Sequence, residues 1–318
     1  MTLPDPVRLE ASVRSRIERL ADERSEGDRT ARHAWIVRLR RELAYRRLLA
    51  RLATAQPGGW FLKGGLALQF RLDPSRSTLD IDIGLLGGLE TAEAEAALRQ
   101  AVAIDLGDRF AFEIGRPRQS SDDHALTVPI TAYIGAQRFE QFRVDLAPPR
   151  GDTPTESAEF TFVPLGIPEL DEHPPIPVIA LSQQIAEKVC AIFERRGDAH
   201  SSRARDLADI AAIALQVDGI DGTAVVEALH REAERRTETL VNGLPTTFGL
   251  APAQAEEWRR RWSTLIRQPP IDFEQALHTS EQFLGPLLDS QAAGAQWSST
   301  LGCWQQRRTA KPGGVGGD

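Results

Sequence analysis

Two aspartates stand two residues apart in Thr78-Leu79-Asp80-Ile81-Asp82-Ile83, a run that alternates polar and apolar residues. The alternation predicts a strand with Asp80 and Asp82 on one face and Leu79, Ile81 and Ile83 on the other. Aspartate is depleted inside strands, so a pair there calls for a reason. Carboxylates this close repel unless a cation lies between them. Mg²⁺, held through one or two carboxylates plus substrate phosphates, suits the pair. The plain alternative is a half-exposed strand with two solvated acids.

Upstream, the apolar run Trp60-Phe61-Leu62 meets Lys63-Gly64-Gly65. Glycines let the backbone approach a phosphate closely, and N–H groups at a helix start supply donors. A lone Gly-Gly is usually only a turn. Joined to a nearby carboxylate pair, it gains a mechanical meaning: one element holds phosphates, the other the metal that bridges them. A third acid comes from Phe142-Arg143-Val144-Asp145-Leu146, where alternation sets Arg143 and Asp145 opposite the three apolar residues. Beside the first strand, Asp145 would complete a metal site or act as general base. The alternative is an exposed strand with an Arg–Asp pair.

Lysine is rare: Lys63, Lys188 and Lys311 stand beside 35 arginines, the pattern of GC-rich coding. A point-charge ammonium and a planar guanidinium differ at a phosphate site, so the retained lysines are informative. Lys188 falls at the edge of the stripe Ile185, Val189 and Ile192 of a predicted helix, where it either reaches out to solvent or enters a cleft. Asp206 and Asp209, three apart on the next helix, can share a face. The alternative is a surface helix laced by weak Arg–Asp pairs.

The elements that must position these groups read as follows. Helices are predicted over 7–24, 30–54 and 89–105, a brief one over 66–70, and strands near 79–86, 110–115, 125–135, 139–147 and 159–163. The Pro-rich segment 164–178 reads as a linker or surface strap. Beyond it, helices are predicted at 179–196, 203–216, 222–240, 253–266 and 272–287. The fold class is therefore α+β and two-lobed. Residues 1–165 form a mixed-sheet lobe with N-terminal helices, and 179–288 a helical lobe. Residues 289–318, polar and glycine-rich, are expected to be a disordered tail, and the cleft between the lobes is the default site.

Composition narrows the function classes. A net charge of −7 argues against coating nucleic acid nonspecifically, although residues 1–56 carry 13 arginines against 8 acids. No apolar run approaches the roughly 18 residues of a membrane span, and the N-terminus is unlike a secretory signal. Two cysteines, Cys190 and Cys303, fit a reducing cytosol, so a cytoplasmic protein is expected. The six histidines show no metal-ligand spacing, and no P-loop, GxSxG elbow or CxxC pair occurs. Trp258 and Trp262, four apart among arginines, are core residues or, less often, a stacking platform for bases.

The run from Lys63-Gly64-Gly65-Leu66-Ala67-Leu68 to Arg76-Ser77-Thr78-Leu79-Asp80-Ile81-Asp82 resembles the opening motif of the AbiEii/AbiGii toxin nucleotidyltransferases. These belong to the polymerase-β-like nucleotidyltransferase superfamily. Lys188, followed by Arg195, Arg205, Asp206 and Asp209, resembles the family's second signature. The resemblance spans about residues 55–215, with both halves in order. The superfamily's Gly-Ser is Gly64-Gly65 here, so a serine contact to phosphate is missing.

The resemblance implies Mg²⁺ or Mn²⁺, a nucleoside triphosphate (NTP) substrate, a winged-helix antitoxin partner and a place in phage defence or growth arrest. The acceptor it implies is the 3′ end of tRNA, and the Arg-rich helix 30–54 would suit an acceptor stem. Alternatives are transfer to a protein hydroxyl, an NTP-binding regulator without catalysis, and a DNA-binding scaffold. The roles implied are metal binding by Asp80 and Asp82 and phosphate cradling by Gly64 and Gly65, with Lys63 secondary. Lys188 would neutralise the triphosphate, Asp206 would orient Lys188 or contact the nucleotide, and Asp145 is a candidate base. Arg76, Thr78 and Asp209 complete the implied nucleotide site.

Overall fold

A computed structural model describes residues 5–72, 78, 80–86, 91–119, 125–148, 153–158, 163–197, 199–240, 242–265 and 271–306. The chain divides into two compact units, Met1–Ala180 and Leu181–Asp318.

The first unit opens with α1 (Pro6–Ser25) and α2 (Arg29–Ala55). Each starts at an aspartate whose carboxylate accepts backbone N–H groups the first turn leaves unbonded: Asp5 from Val7 and Arg8, Asp28 from Thr30 and Ala31. There follow β1 (Trp60–Lys63), α3 (Gly64–Gln69), β2 (Asp80–Leu85) and α4 (Thr91–Val102). Next come β3 (Phe110–Ile114), β4 (Arg118–Gln119), β5 (Leu126–Ile134), β6 (Gln137–Ala147) and β7 (Thr155–Ala158). The unit ends with α5 (Pro168–Asp171) and β8 (Ile176–Ile179).

The strands form one mixed sheet, ordered β3-β5-β6-β2-β1-β8-β7, with β4 paired to β5. β2 lies parallel to β6 and β1 parallel to β8, and the other pairs are antiparallel. Ile81, Ile83, Val128, Val144 and Leu146 fill the core beneath, together with Leu43, Leu48 and Leu49 of α2. The segment 164–178, expected as a linker or surface strap, instead supplies α5 and most of β8. Ile176 and Val178 are fully buried, and Val178 pairs with Leu62, so these apolar residues draw the segment into the sheet.

Half of the eight arginines of α2 lie inside the fold. Arg38, Arg46, Arg47 and Arg51 are buried, whereas Arg29 is exposed and Arg32, Arg40 and Arg41 are half-buried. Arg47 and Arg51 grip the buried Asp108 at 2.7 to 2.8 Å, and Arg46 binds Asp171 at 2.7 Å. Carbonyl oxygens of Ile104, Phe110, Val163 and Glu172 take further guanidinium N–H groups. Burial pushes Asp108 toward the neutral form, but the hydrogen bonds and charges of Arg51 and Arg47 outweigh it and hold the carboxyl below its ordinary range. These four arginines pair with acids inside the fold.

The second unit is mainly helical. It comprises α6 (Leu181–Phe193), the hairpin β9 (Arg195–Arg196) and β10 (Ala199–His200), α7 (Ala204–Gln216), β11 (Ile220–Asp221) and α8 (Gly222–Arg235). Then follow α9 (Pro252–Leu265), α10 (Phe273–Leu288), β12 (Ala295–Ser298) and β13 (Cys303–Gln306). The last two strands correct the expected tail. They join β11 in a three-stranded sheet because Trp297 and Trp304 both pack on Phe283 and donate their indole N–H groups to Ala214 O and Phe283 O. Residues 307–318 lie outside the described residues. Trp258 and Trp262 are core: they are buried and donate to Ser201 O and Ile271 O, leaving no face for a base.

Candidate active site

β2 carries the two aspartates as the alternation requires. Asp80 and Asp82 are half-buried on one face, and Ile81 and Ile83 are buried on the other. Strand pairing then adds what local pattern leaves open. In the β2–β6 register Asp82 stands beside Asp145, and Asp80 beside Arg143. In the β1–β2 register Lys63 stands beside Asp82, and in the β5–β6 register Thr127 stands beside Asp145. Paired residues on neighbouring strands point to the same side, so Lys63, Asp82, Asp145 and Thr127 form one polar row across four strands about 4.8 Å apart.

Arg143 takes a partner other than Asp145. Its Nε donates to Asp80 Oδ1 at 2.7 Å and its Nη2 to Asp80 Oδ2 at 3.1 Å. These bonds, and then the charge of Asp80, raise the guanidinium further above its ordinary range. Asp145 Oδ1 is buried and has no hydrogen-bond donor among the described residues. A buried carboxylate oxygen without a partner is costly, and a cation or a hydroxyl proton would relieve it.

The glycine turn meets this row. Gly64 begins α3 with φ +63°, and a Cβ built on it would lie 1.9 Å from Asp82 Oδ2. Only glycine fits there, and its absent side chain lets the Asp82 carboxylate sit against the turn. A Cβ on Gly65 would come within 3.1 Å of Thr78 Oγ1, which donates to Asp80 O at 3.1 Å. Tyr45 of α2, unremarked in the sequence, donates its hydroxyl to Thr78 O at 3.3 Å and sets its ring edge-on against Phe142. Burial chiefly, with Asp80 and Asp82 nearby, keeps that phenol protonated and donating. Its sequence signal is slight, namely that it is one of two tyrosines. Arg76 lies outside the described residues.

The donor set fits a hard divalent cation. Asp82 and the orphaned oxygen of Asp145 are neighbours, and Asp80 is two residues along the same face. Among the described residues no three His, Cys, Asp or Glu side chains already form a metal cage.

In the second unit Lys188 neither reaches out to solvent nor rests on a weak surface pair. Its ammonium donates to Asp206 Oδ1 at 2.7 Å and to Asp209 Oδ2 at 2.6 Å, with the lysine side chain 11% exposed. The apolar stripe of α6 fixes the lysine stem, and the three-residue spacing on α7 delivers both carboxylates to it. Arg195 and Arg205 are exposed.

The model of the nucleotidyl transferase AbiEii toxin family, a type IV toxin–antitoxin system, matches residues 47–279, which include both groups of residues. The chain belongs to the AbiEii nucleotidyltransferase toxin family. It is accordingly a nucleotidyltransferase. No curated protein matches the sequence. Among solved structures, the MenT4 nucleotidyltransferase toxin of Mycobacterium tuberculosis H37Rv shares the fold, with 17% identity and TM-score 0.52. The alignment covers 86% of this chain and 97% of that one. A putative nucleotidyltransferase from H. pylori also matches, with 14% identity and TM-score 0.45, over 79% of this chain and 94% of that one. JHP933 from Helicobacter pylori matches with 15% identity and TM-score 0.43, over 77% and 91%. Among the described residues no helix is long and apolar enough to cross a membrane.

Proposed function

We propose that this AbiEii-family chain transfers a nucleotide from an NTP to the 3′ end of tRNA, with Mg²⁺ or Mn²⁺. The observation that carries the reading is the Asp82–Asp145 pair beside Gly64, with a buried carboxylate oxygen left for a partner. The family membership supports it. When bound at Asp80 and Asp82, the cation would polarise the α-phosphate.

The remaining roles belong to the chain. Gly64 and Gly65 present backbone N–H groups to the triphosphate, with Lys63 beside them and Arg76 and Thr78 next in the motif. Asp145 takes the proton of the attacking hydroxyl. As its oxygen bonds to the α-phosphorus, the bond to the β-phosphate breaks and pyrophosphate leaves. Lys188, the cation of the second signature, is the proposed triphosphate contact, and it must release Asp206 or Asp209 to serve there, since two carboxylates already exceed its single charge. As a toxin of this family, the chain would act in the cytoplasm in phage defence or growth arrest, held in check by a winged-helix antitoxin.

Incubation with each α-labelled NTP, total RNA and total protein tests the reading. Label at the 3′ end of tRNA is the expected result. Label on protein would move the acceptor to a protein hydroxyl. Bound NTP with no pyrophosphate released would make the chain a regulator without transfer.

A further inference from the structure

The polar face of the sheet carries an unequal distribution of charge. Each aspartate of β2 has a cation in register, Lys63 beside Asp82 and Arg143 beside Asp80. Asp145 stands between Asp82 and Thr127. The Arg143–Asp80 contact engages both oxygens of Asp80, yet the arginine side chain is 55% exposed and the carboxylate 27%. A pair so open to water is weak and separates readily. The buried grip of Arg47 and Arg51 on Asp108 has no such freedom.

We propose that Arg143 competes with a divalent cation for Asp80, holding the carboxylate in the metal-free protein and yielding it when the cation binds. The proposal rests on the metal role given to Asp80 above. A carboxylate oxygen has room for more than one partner, but a fixed positive charge a few ångströms from a dication repels it. Arg143 therefore lowers the affinity for the bare ion. The negative triphosphate offsets that repulsion, and a freed guanidinium is shaped to take a phosphate oxygen. The cation is then retained together with its nucleotide rather than ahead of it.

The test measures Mn²⁺ binding to the nucleotide-free full chain by electron paramagnetic resonance. Arg143→Gln, which removes the charge from an exposed strand position, should bind Mn²⁺ about fivefold more tightly than the parent. Arg143→Lys, which keeps a charge, should stay close to the parent. Thermal melting of each variant confirms the fold. Unchanged or weaker binding by a folded Arg143→Gln protein overturns the proposal, and weaker binding would mark the arginine as a support for Asp80. Asp80→Asn and Asp82→Asn separate the two ideas. If they weaken Mn²⁺ binding while Arg143→Gln has no effect, only the competition fails. If neither alters it, the metal reading fails and the competition with it.

Discussion

Two clusters in the first unit pair aspartate with arginine, and they differ in what is left over. Around Asp108, Arg47 and Arg51 supply donors to both carboxylate oxygens, spare guanidinium N–H groups find carbonyls, and every member is buried. On the β2–β6 face three aspartates stand together, one held by an exposed arginine and one with a buried oxygen that no described donor meets. The first cluster is closed and serves stability. The second is open, and its buried oxygen on Asp145 meets no donor among the described residues. Counting charges does not separate the two, but asking whether each polar atom has a partner does.

The largest effect expected is on activity. Asp82→Asn should lower nucleotide transfer about a thousandfold, the loss expected when a metal-assisted charge interaction disappears. Its melting temperature should hold or rise, since the change relieves repulsion with Asp145. A drop in stability without loss of transfer would reverse the comparison, making the open cluster the structural one.

Asp108→Ala should do the opposite. It strands two buried guanidinium groups, for which about 3–5 kcal/mol of stability is the usual loss. Denaturant unfolding would measure this, and a loss below about 1 kcal/mol would show that the core relaxes around the gap.

Gly64→Ala falls between the two clusters. The strained backbone costs about 1–2 kcal/mol, and the added methyl must displace the Asp82 carboxylate. Transfer should fall about a hundredfold, as for a misplacement of roughly 1 Å. Activity near that of the parent would remove the turn from the site.

The smallest effect is in pH. Asp108 is held below its ordinary range, so its contribution to stability is complete above about pH 4, the unfolded value. It is lost as pH falls through the lower folded value. Acid unfolding of Asp108→Asn should therefore show a shallower slope below pH 4 than the parent, and equal slopes would detach Asp108 from the acid transition.

Much of this was legible in the chain. Period-two alternation sets Asp80 with Asp82 and Arg143 with Asp145, and helical spacing sets Lys188 at a stripe edge and Asp206 with Asp209. These are local properties, decided by covalent geometry within a few residues. The hairpin β12–β13 escaped because its polar, glycine-rich composition outweighed two tryptophans whose ring partner, Phe283, lies on another element.

Tertiary structure decided the rest. The parallel pairing of β2 with β6 places Asp145 beside Asp82 and turns Arg143 toward Asp80. Arg46, Arg47 and Arg51 of α2 became core residues because Asp108 and Asp171 meet them there. Sequence periodicity fixes which way a side chain points from its own element. Which side chain it then faces depends on pairing between segments far apart in the chain, and that is set by burial of the whole sheet.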